Sequence, residues 1–208
     1  PSFPLYMPTC HKCQKKNIYY SDFCKTCFCE VLERRIKKYL GQHELIQRND
    51  VLYVTDDLVE YFLKNLITMP ITIIRTLKTN VKPTKRVLAW TMDHELEYFL
   101  DQLVNKGVIP KKEKPGVKFF LAVTKAELEA YAQAKKLELS EDLKPEPIKE
   151  FIKPSGLVSI PGSGGDFVPI SQIQNPADIL NELEKRHKET RHSLMKSIEQ
   201  LRMIMKEN

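Results

Sequence analysis

Hydrophobic residues are grouped in short runs that predict the strands of a parallel sheet. Residues 51–54, 87–90 and 119–123 are almost continuously apolar and lack the alternation of a half-exposed strand. Runs of this kind are typical of strands that are buried on both faces, as in parallel sheets. Residues 71–74 form a further apolar run and are a candidate fourth strand.

Apolar residues at helical spacing occupy the stretches between these runs. They recur over residues 58–66 and 96–104, which predicts amphipathic helices. Thr124 and Glu127 match a capping box and predict a helix over residues 125–136. Because strands and helices alternate, we expect right-handed crossovers and a small open α/β sheet.

The remainder of the chain predicts four parts. A cysteine-rich segment at residues 1–30 precedes a basic helix, at about 30–47, and the α/β domain, together residues 31–139. Residues 140–175 are rich in proline and glycine, which predicts a long loop or linker. C-terminal helices are predicted over residues 176–208, the second with an apolar stripe of Leu194, Ile198, Leu201 and Met205.

All five cysteines lie within residues 10–29, which favours a metal site over a disulfide framework. Cys10 and Cys13 form one C-x-x-C pair, and Cys24 and Cys27 form a second after ten intervening residues. Four thiolates at this spacing can converge on one tetrahedral zinc ion and leave no open position for catalysis. The sequence therefore predicts a structural zinc knuckle. Cys29 or His11 could replace one ligand, and two separate thiol pairs are the alternative interpretation.

The charge distribution suits a polyanionic partner. The net charge is +6 and the isoelectric point is near 9.0. Two basic clusters are candidate RNA contacts: Arg34, Arg35, Lys37 and Lys38 beside the cysteines, and Lys185, Arg186, Lys188 and Arg191 near the C-terminus. Glutamates are interleaved with both clusters, so a solvated surface is the alternative. No apolar run approaches the length of a membrane span, so we expect a cytoplasmic protein.

Three polar motifs are weak candidates for a catalytic or phosphate site. Ser163-Gly164-Gly165-Asp166 resembles a phosphate loop but does not lie between a buried strand and a helix. Asp56 and Asp57 follow the first predicted strand, where two acids would repel phosphate. Asp93-His94-Glu95 follows the strand at 87–90 and is more typical of a helix start.

The order of these features resembles the tRNA 2-thiouridine synthetases of the archaeal and eukaryotic cytoplasmic type, which have a PP-loop ATP pyrophosphatase fold. The resemblance is carried by the cysteine knuckle with residues 32–54, and by residues 86–100, 118–136 and 180–197. In residues 86–100, Met92-Asp93-His94-Glu95 stands where the family has Leu-Asp-Asp-Glu.

The chain departs from this family at the positions that carry catalysis. Thr55-Asp56-Asp57 replaces the family's Ser-Gly-Gly-x-Asp-Ser phosphate loop, and no cysteine follows Cys29. The resemblance therefore implies a non-catalytic subunit of a tRNA wobble-uridine 2-thiolation complex, which contains zinc, pairs with an active synthetase and helps to bind tRNA. The alternative is an independent zinc-containing RNA-binding or ribosome-associated protein.

Overall fold

A computed structural model describes residues 9–15, 17–77, 81–106, 116–139, 143, 176–186 and 189–207. Its helices are α1 (Lys25–Gln42), α2 (Asp57–Leu66), α3 (Met92–Lys106), α4 (Lys125–Lys135), α5 (Pro176–Arg186) and α6 (Thr190–Glu207). Its strands are β1 (Val51–Val54), β2 (Thr72–Ile74), β3 (Lys85–Thr91) and β4 (Val117–Phe120). The fold is mixed α/β, as predicted.

The four strands form one parallel sheet in the order β2-β1-β3-β4. Val51 pairs with Thr72 on one side of β1, and Leu52 pairs with Lys85 on the other. The strand order therefore reverses between β1 and β3. In open α/β sheets, ligands bind outside the carboxyl ends of the strands at such a reversal.

Aromatic side chains fill the core between the sheet and its helices. Phe62 of α2 is fully buried and lies 5.2 Å from the ring of Phe120 and 4.8 Å from that of Tyr131, between ring centroids. All four residues of β4 are buried, including Lys118, but the predicted run at 119–123 overlaps this strand only at Phe119 and Phe120. In β1, buried Leu52 and Val54 alternate with half-buried neighbours, so the expected full burial of both faces was wrong for this strand.

α1 is packed against α4 by both apolar and polar contacts. Phe28, Leu32, Ile36 and Leu40 are buried on one face of α1. Arg35 donates to Glu127 of α4 at 2.7 Å, and the Tyr131 hydroxyl of α4 donates to Glu33 at 2.6 Å. These contacts fix the orientation of α1, which has Cys24 as its N-cap and Cys27 in its first turn.

Element boundaries differ from the predictions most at α1 and β4. The helix begins at Lys25 and ends at Gln42, five residues earlier at each end than predicted. Cys24 has the extended backbone of an N-cap, and Glu44 lies in the left-handed region with φ 48°, where the helix cannot continue. The capping box of α4 is confirmed, because Thr124 accepts from the Glu127 amide while the Glu127 carboxylate accepts from the Thr124 amide.

The chain divides into two compact units. The first contains the cysteine segment, α1, the sheet, α2 and α4; the second contains α3 from Asp93 onward, α5 and α6. In the second unit, Met195, Ile198 and Arg202 form the buried stripe of α6, whereas Leu201 is 40% exposed. The predicted apolar stripe of α6 was wrong at Leu201, because the buried face lies one residue further along the helix. The predicted linker at 140–175 lies outside the described residues apart from Leu143, and the four-part division stays a prediction.

Candidate metal centre and the would-be nucleotide site

The four cysteines predicted as ligands converge at the start of α1. Cys10 and Cys13 lie on a turn that closes with a hydrogen bond from the Gln14 amide to the Cys10 carbonyl, 2.8 Å. Gln14 adopts φ 60°, which reverses the chain after the first pair. Cys24 is the N-cap of α1, and Cys27 lies in its first turn. The second pair therefore opens α1, which the sequence predicted to begin only after the cysteines.

The sulfur atoms have the spacing of ligands around one ion. All four lie within 4.8 Å of one another, and the Sγ atoms of Cys13 and Cys24 are 3.6 Å apart. In a tetrahedral zinc site with bonds of about 2.3 Å, two thiolates lie about 3.8 Å apart. The donor set and its spacing therefore fit one metal ion.

The surroundings of two cysteines pull their pKa values in opposite directions. Burial raises the pKa of Cys10, but hydrogen bonds from backbone amides outweigh burial and lower it to about 6. Burial and the neighbouring thiols raise the pKa of Cys27 to about 12. A cation bound among the four sulfur atoms would favour the thiolate form of each ligand.

Neither alternative ligand joins the cluster. Cys29 is 6% exposed and belongs to the hydrophobic core, where burial raises its pKa. His11 is exposed, and its ring lies edge-on to Phe23 with 6.3 Å between centroids.

The connection between β1 and α2 lies at the strand-order reversal, where a nucleotide loop would lie. It consists of Thr55 and Asp56, because β1 ends at Val54 and α2 begins at Asp57. The buried carboxylate of Asp56 accepts a hydrogen bond from the Val59 amide at 2.8 Å and so caps the helix. Asp57 is ion-paired with Arg75. Carboxylates, rather than glycine amides, therefore occupy the N-terminus of α2.

Two acids in the first turn of α3 form ion pairs with arginines of α6. Asp93 Oδ1 lies 2.7 Å from Arg191 Nε, and Glu95 Oε1 lies 2.6 Å from Arg202 Nη2. Arg191 also contacts Glu184 of α5. Glu95 is fully buried, and the Arg202 side chain is 9% exposed. These ion pairs compensate charges that would otherwise be costly to bury.

The predicted RNA contacts lie in different environments. Arg34, Lys37 and Lys38 are exposed on α1, whereas half-buried Arg35 is ion-paired with Glu127. Lys185 is exposed on α5, and Arg191 is 16% exposed with two acidic partners, unlike the solvent-facing cation that the sequence suggested. The side chain of Arg186, Lys188 and the Ser163–Asp166 motif lie outside what the structure describes.

Comparison with known proteins gives a match in structure alone. No protein-family model matches the chain, and no curated protein matches it significantly. Among solved structures, the U34-tRNA thiolase NcsA from Methanococcus maripaludis, determined with its [4Fe-4S] cluster, aligns with a TM-score of 0.56. The alignment covers 96% of this chain and 88% of that chain at 14% sequence identity. The chain therefore has a thiolase-like α/β fold with a four-cysteine cluster near its N-terminus.

No helix among the described residues is both long enough and apolar enough to cross a membrane.

Proposed function

We propose that this protein is a non-catalytic subunit of a cytoplasmic tRNA wobble-uridine thiolation complex, which pairs with an active thiouridine synthetase and helps to hold tRNA. The fold likeness to a U34-tRNA thiolase supports the place in tRNA thiolation. The observation that carries the non-catalytic role is the closed N-terminus of α2, because the carboxylate of Asp56 occupies the position that a phosphate would need.

Electrostatics and geometry both oppose nucleotide binding at α2. A phosphate-binding helix offers unpaired backbone amides and often a glycine-rich approach to them. In this chain, Asp56 and Asp57 place two carboxylates there, and a connection of two residues has no room for a cradle of amides. All five cysteines lie within residues 10–29, so residues 30–208 offer no thiolate for sulfur transfer, which further supports a non-catalytic role.

The role is tested by depleting the protein from its native cell and measuring 2-thiouridine at the tRNA wobble position. We expect thiolation to fall, wild-type protein to restore it, and a thiouridine synthetase to co-purify with the tagged chain. The Cys29→Ala variant should also restore thiolation, because Cys29 lies in the core and is not one of the four proposed ligands. Cys24→Ser should not restore it, because Cys24 is one of them. Normal thiolation after depletion, with ribosomes or other RNA–protein particles co-purifying instead, would support the independent RNA-binding protein.

The absence of nucleotide chemistry is tested by calorimetric titration of the purified chain with ATP and magnesium. We expect no saturable binding. Micromolar binding that Asp93→Ala abolishes would contradict the proposal and restore an enzymatic role.

Zinc is the metal that we propose for the four cysteines. A [4Fe-4S] cluster places a separate iron atom beneath each thiolate, so its four ligand sulfurs must lie farther apart than around one ion. The upper limit of 4.8 Å between the ligand atoms favours a single ion. The ion would be held by Cys10, Cys13, Cys24 and Cys27 and would supply folding energy to a segment with few apolar residues.

Elemental analysis of anaerobically purified protein should give about one zinc per chain. Iron and acid-labile sulfide with visible absorption, and no zinc, would refute this assignment.

A further inference from the structure

The exposed face of α1 is strongly cationic. Apart from Lys25, the first residue of α1, the exposed positions of this helix recur every three or four residues, as expected for one face of a helix. They are Thr26, Glu30, Arg34, Lys37, Lys38, Gly41 and Gln42. From Thr26 to Lys38 this face extends about 18 Å, at 1.5 Å per residue.

The metal-binding end of α1 continues this face into a shallow cavity. The cavity has a volume of about 330 Å³ and is lined by Lys15, Asn17, Ile18, Tyr19, Cys24, Lys25 and Thr26. Lys15 and Lys25 are both exposed, and Lys25 and Thr26 belong to α1 itself. The cavity and the helix face are therefore contiguous, and we call them together the cationic strip.

The acid on this strip is neutralised by a neighbouring lysine. Glu30 forms an ion pair with Lys12 of the first cysteine turn, and this hydrogen bond lowers the pKa of Glu30. The strip thus carries five cations, Lys15, Lys25, Arg34, Lys37 and Lys38, and its one carboxylate, Glu30, is paired with Lys12 beside it. Four thiolates around one zinc ion leave a net negative charge that is smaller than this excess, so the strip remains cationic with the metal bound.

We propose that the cationic strip binds the sugar–phosphate backbone of tRNA, with the metal knuckle as well as the helix in contact. The identity of the RNA rests on the proposed function; the backbone contact rests on the charge and continuity of the strip. Asn17 offers a polar contact beside the two lysines, and Tyr19, whose hydroxyl donates to the Ala130 carbonyl, offers its ring.

The composition of the strip favours RNA over a protein partner. Protein–protein interfaces are depleted in lysine and centred on apolar or aromatic anchors. The exposed face of α1 carries no large apolar side chain between Thr26 and Gln42. Interfaces with nucleic acids are more polar and much more positive, as this strip is. Its length allows it to follow several successive phosphates.

The test measures affinity of the full-length chain for a tRNA transcript by fluorescence anisotropy over a range of salt concentrations. One variant, Lys15→Ala/Lys25→Ala, removes the cavity cations. The matched control, Lys82→Ala/Arg86→Ala, removes two exposed cations near the start of β3. Zinc content and circular dichroism verify that each variant is folded.

A second variant removes the helix cations by Arg34→Ala/Lys37→Ala/Lys38→Ala. We expect both strip variants to weaken binding and to flatten its salt dependence, by about 0.9 in logarithmic slope for each lost contact with a duplex. The double cavity variant should lose on the order of tenfold in affinity at physiological salt. The control should retain the wild-type slope.

Three outcomes would overturn the strip assignment. Unchanged affinity in the cavity variant would exclude the knuckle, and an equal loss in the control would indicate nonspecific attraction. Retained tRNA affinity with loss of the co-purifying synthetase would make the strip a protein-docking surface. By contrast, strip-dependent tRNA binding by a chain that co-purifies with no synthetase would overturn the proposed function and leave the strip intact.

Discussion

Removal of one partner from the Glu95–Arg202 ion pair should strongly destabilise the unit that contains α3 and α6. Glu95 is fully buried and the Arg202 side chain is 9% exposed, so solvent screens neither charge well. Arg202→Met leaves the Glu95 carboxylate without this partner. Breaking a buried ion pair in this way costs about 3–5 kcal/mol, far more than the loss of an exposed pair.

The magnitude depends on the charge that is left behind rather than on the contact alone. The double variant Glu95→Leu/Arg202→Met removes both charges. Its free energy of unfolding should therefore exceed that of Arg202→Met by about 3 kcal/mol. The more exposed pair of Asp93 and Arg191 provides the comparison, since its side chains are 11% and 16% exposed and Arg191 also contacts Glu184. Asp93→Asn should therefore cost less than Arg202→Met.

The assay is thermal unfolding followed by circular dichroism and by calorimetry of the same samples. For a chain of this length, the single variant should lower the midpoint of unfolding by about 6–20 °C. The explanation is refuted if Arg202→Met and the double variant are equally destabilised, because the cost would then come from lost packing. A wild-type midpoint in Arg202→Met would also refute it.

Three further predictions concern the first unit. Asp56→Ala should lower the free energy of unfolding by about 1 kcal/mol, measured with urea, because the helix loses its cap, and it should create no ATP binding in calorimetry. Gly116→Ala should lower the thermal midpoint, because Gly116 has φ 128° and a Cβ would lie 3.1 Å from a backbone oxygen. As its control, Gly41→Ala in α1 has open space for the Cβ and should leave the free energy of unfolding unchanged or raise it by up to about 1 kcal/mol. Burial raises the carboxyl pKa of Asp50, but hydrogen bonds, first that from Lys85, lower it overall. The difference in free energy of unfolding between wild type and Asp50→Asn should therefore be largest above about pH 4 and disappear as the pH falls through the folded-state pKa.

The strands could be predicted because their signal is local. Residues 51–54 match β1 at both ends, and β2 is the candidate strand at 71–74 without its first residue. The run at 87–90 lies within β3, whereas the run at 119–123 shares only two residues with β4. The capping box of α4 was equally accessible, since its two side chains are three residues apart in sequence. The sheet order was not accessible in this way, because β1 pairs with two strands that follow it at different distances along the chain.

The burial of cations could not be predicted from local sequence. Arg35 and Arg191 lie in basic runs, yet their partners Glu127 and Asp93 are about a hundred residues away. Such pairs depend on which elements pack together, a tertiary effect that a charge pattern does not contain. The same is true of Cys29, which lies two residues from a candidate ligand but is turned into the core by the helix.

The start of α1 was misplaced for a related reason. Threonine and cysteine are weak helix formers, and Lys25 places a cation at the positive end of the helix dipole, so the first turn of α1 is stabilised by the fold around it. A metal bound by Cys24 and Cys27 would add to that stability. A helix that begins within a cysteine pair is therefore predicted to start too late when the pair is taken for a loop.

The two-residue connection between β1 and α2 limits what evolution can do with this chain. A substitution can change Thr55 or Asp56 into glycine, but it cannot lengthen the backbone between Val54 and Asp57. A phosphate-binding loop at this place would require an insertion, together with the release of Arg75 from its acidic partners. Each of these steps removes a helix cap or an ion pair before any nucleotide can compensate, so point mutations alone provide no gradual route to an ATP-binding site there.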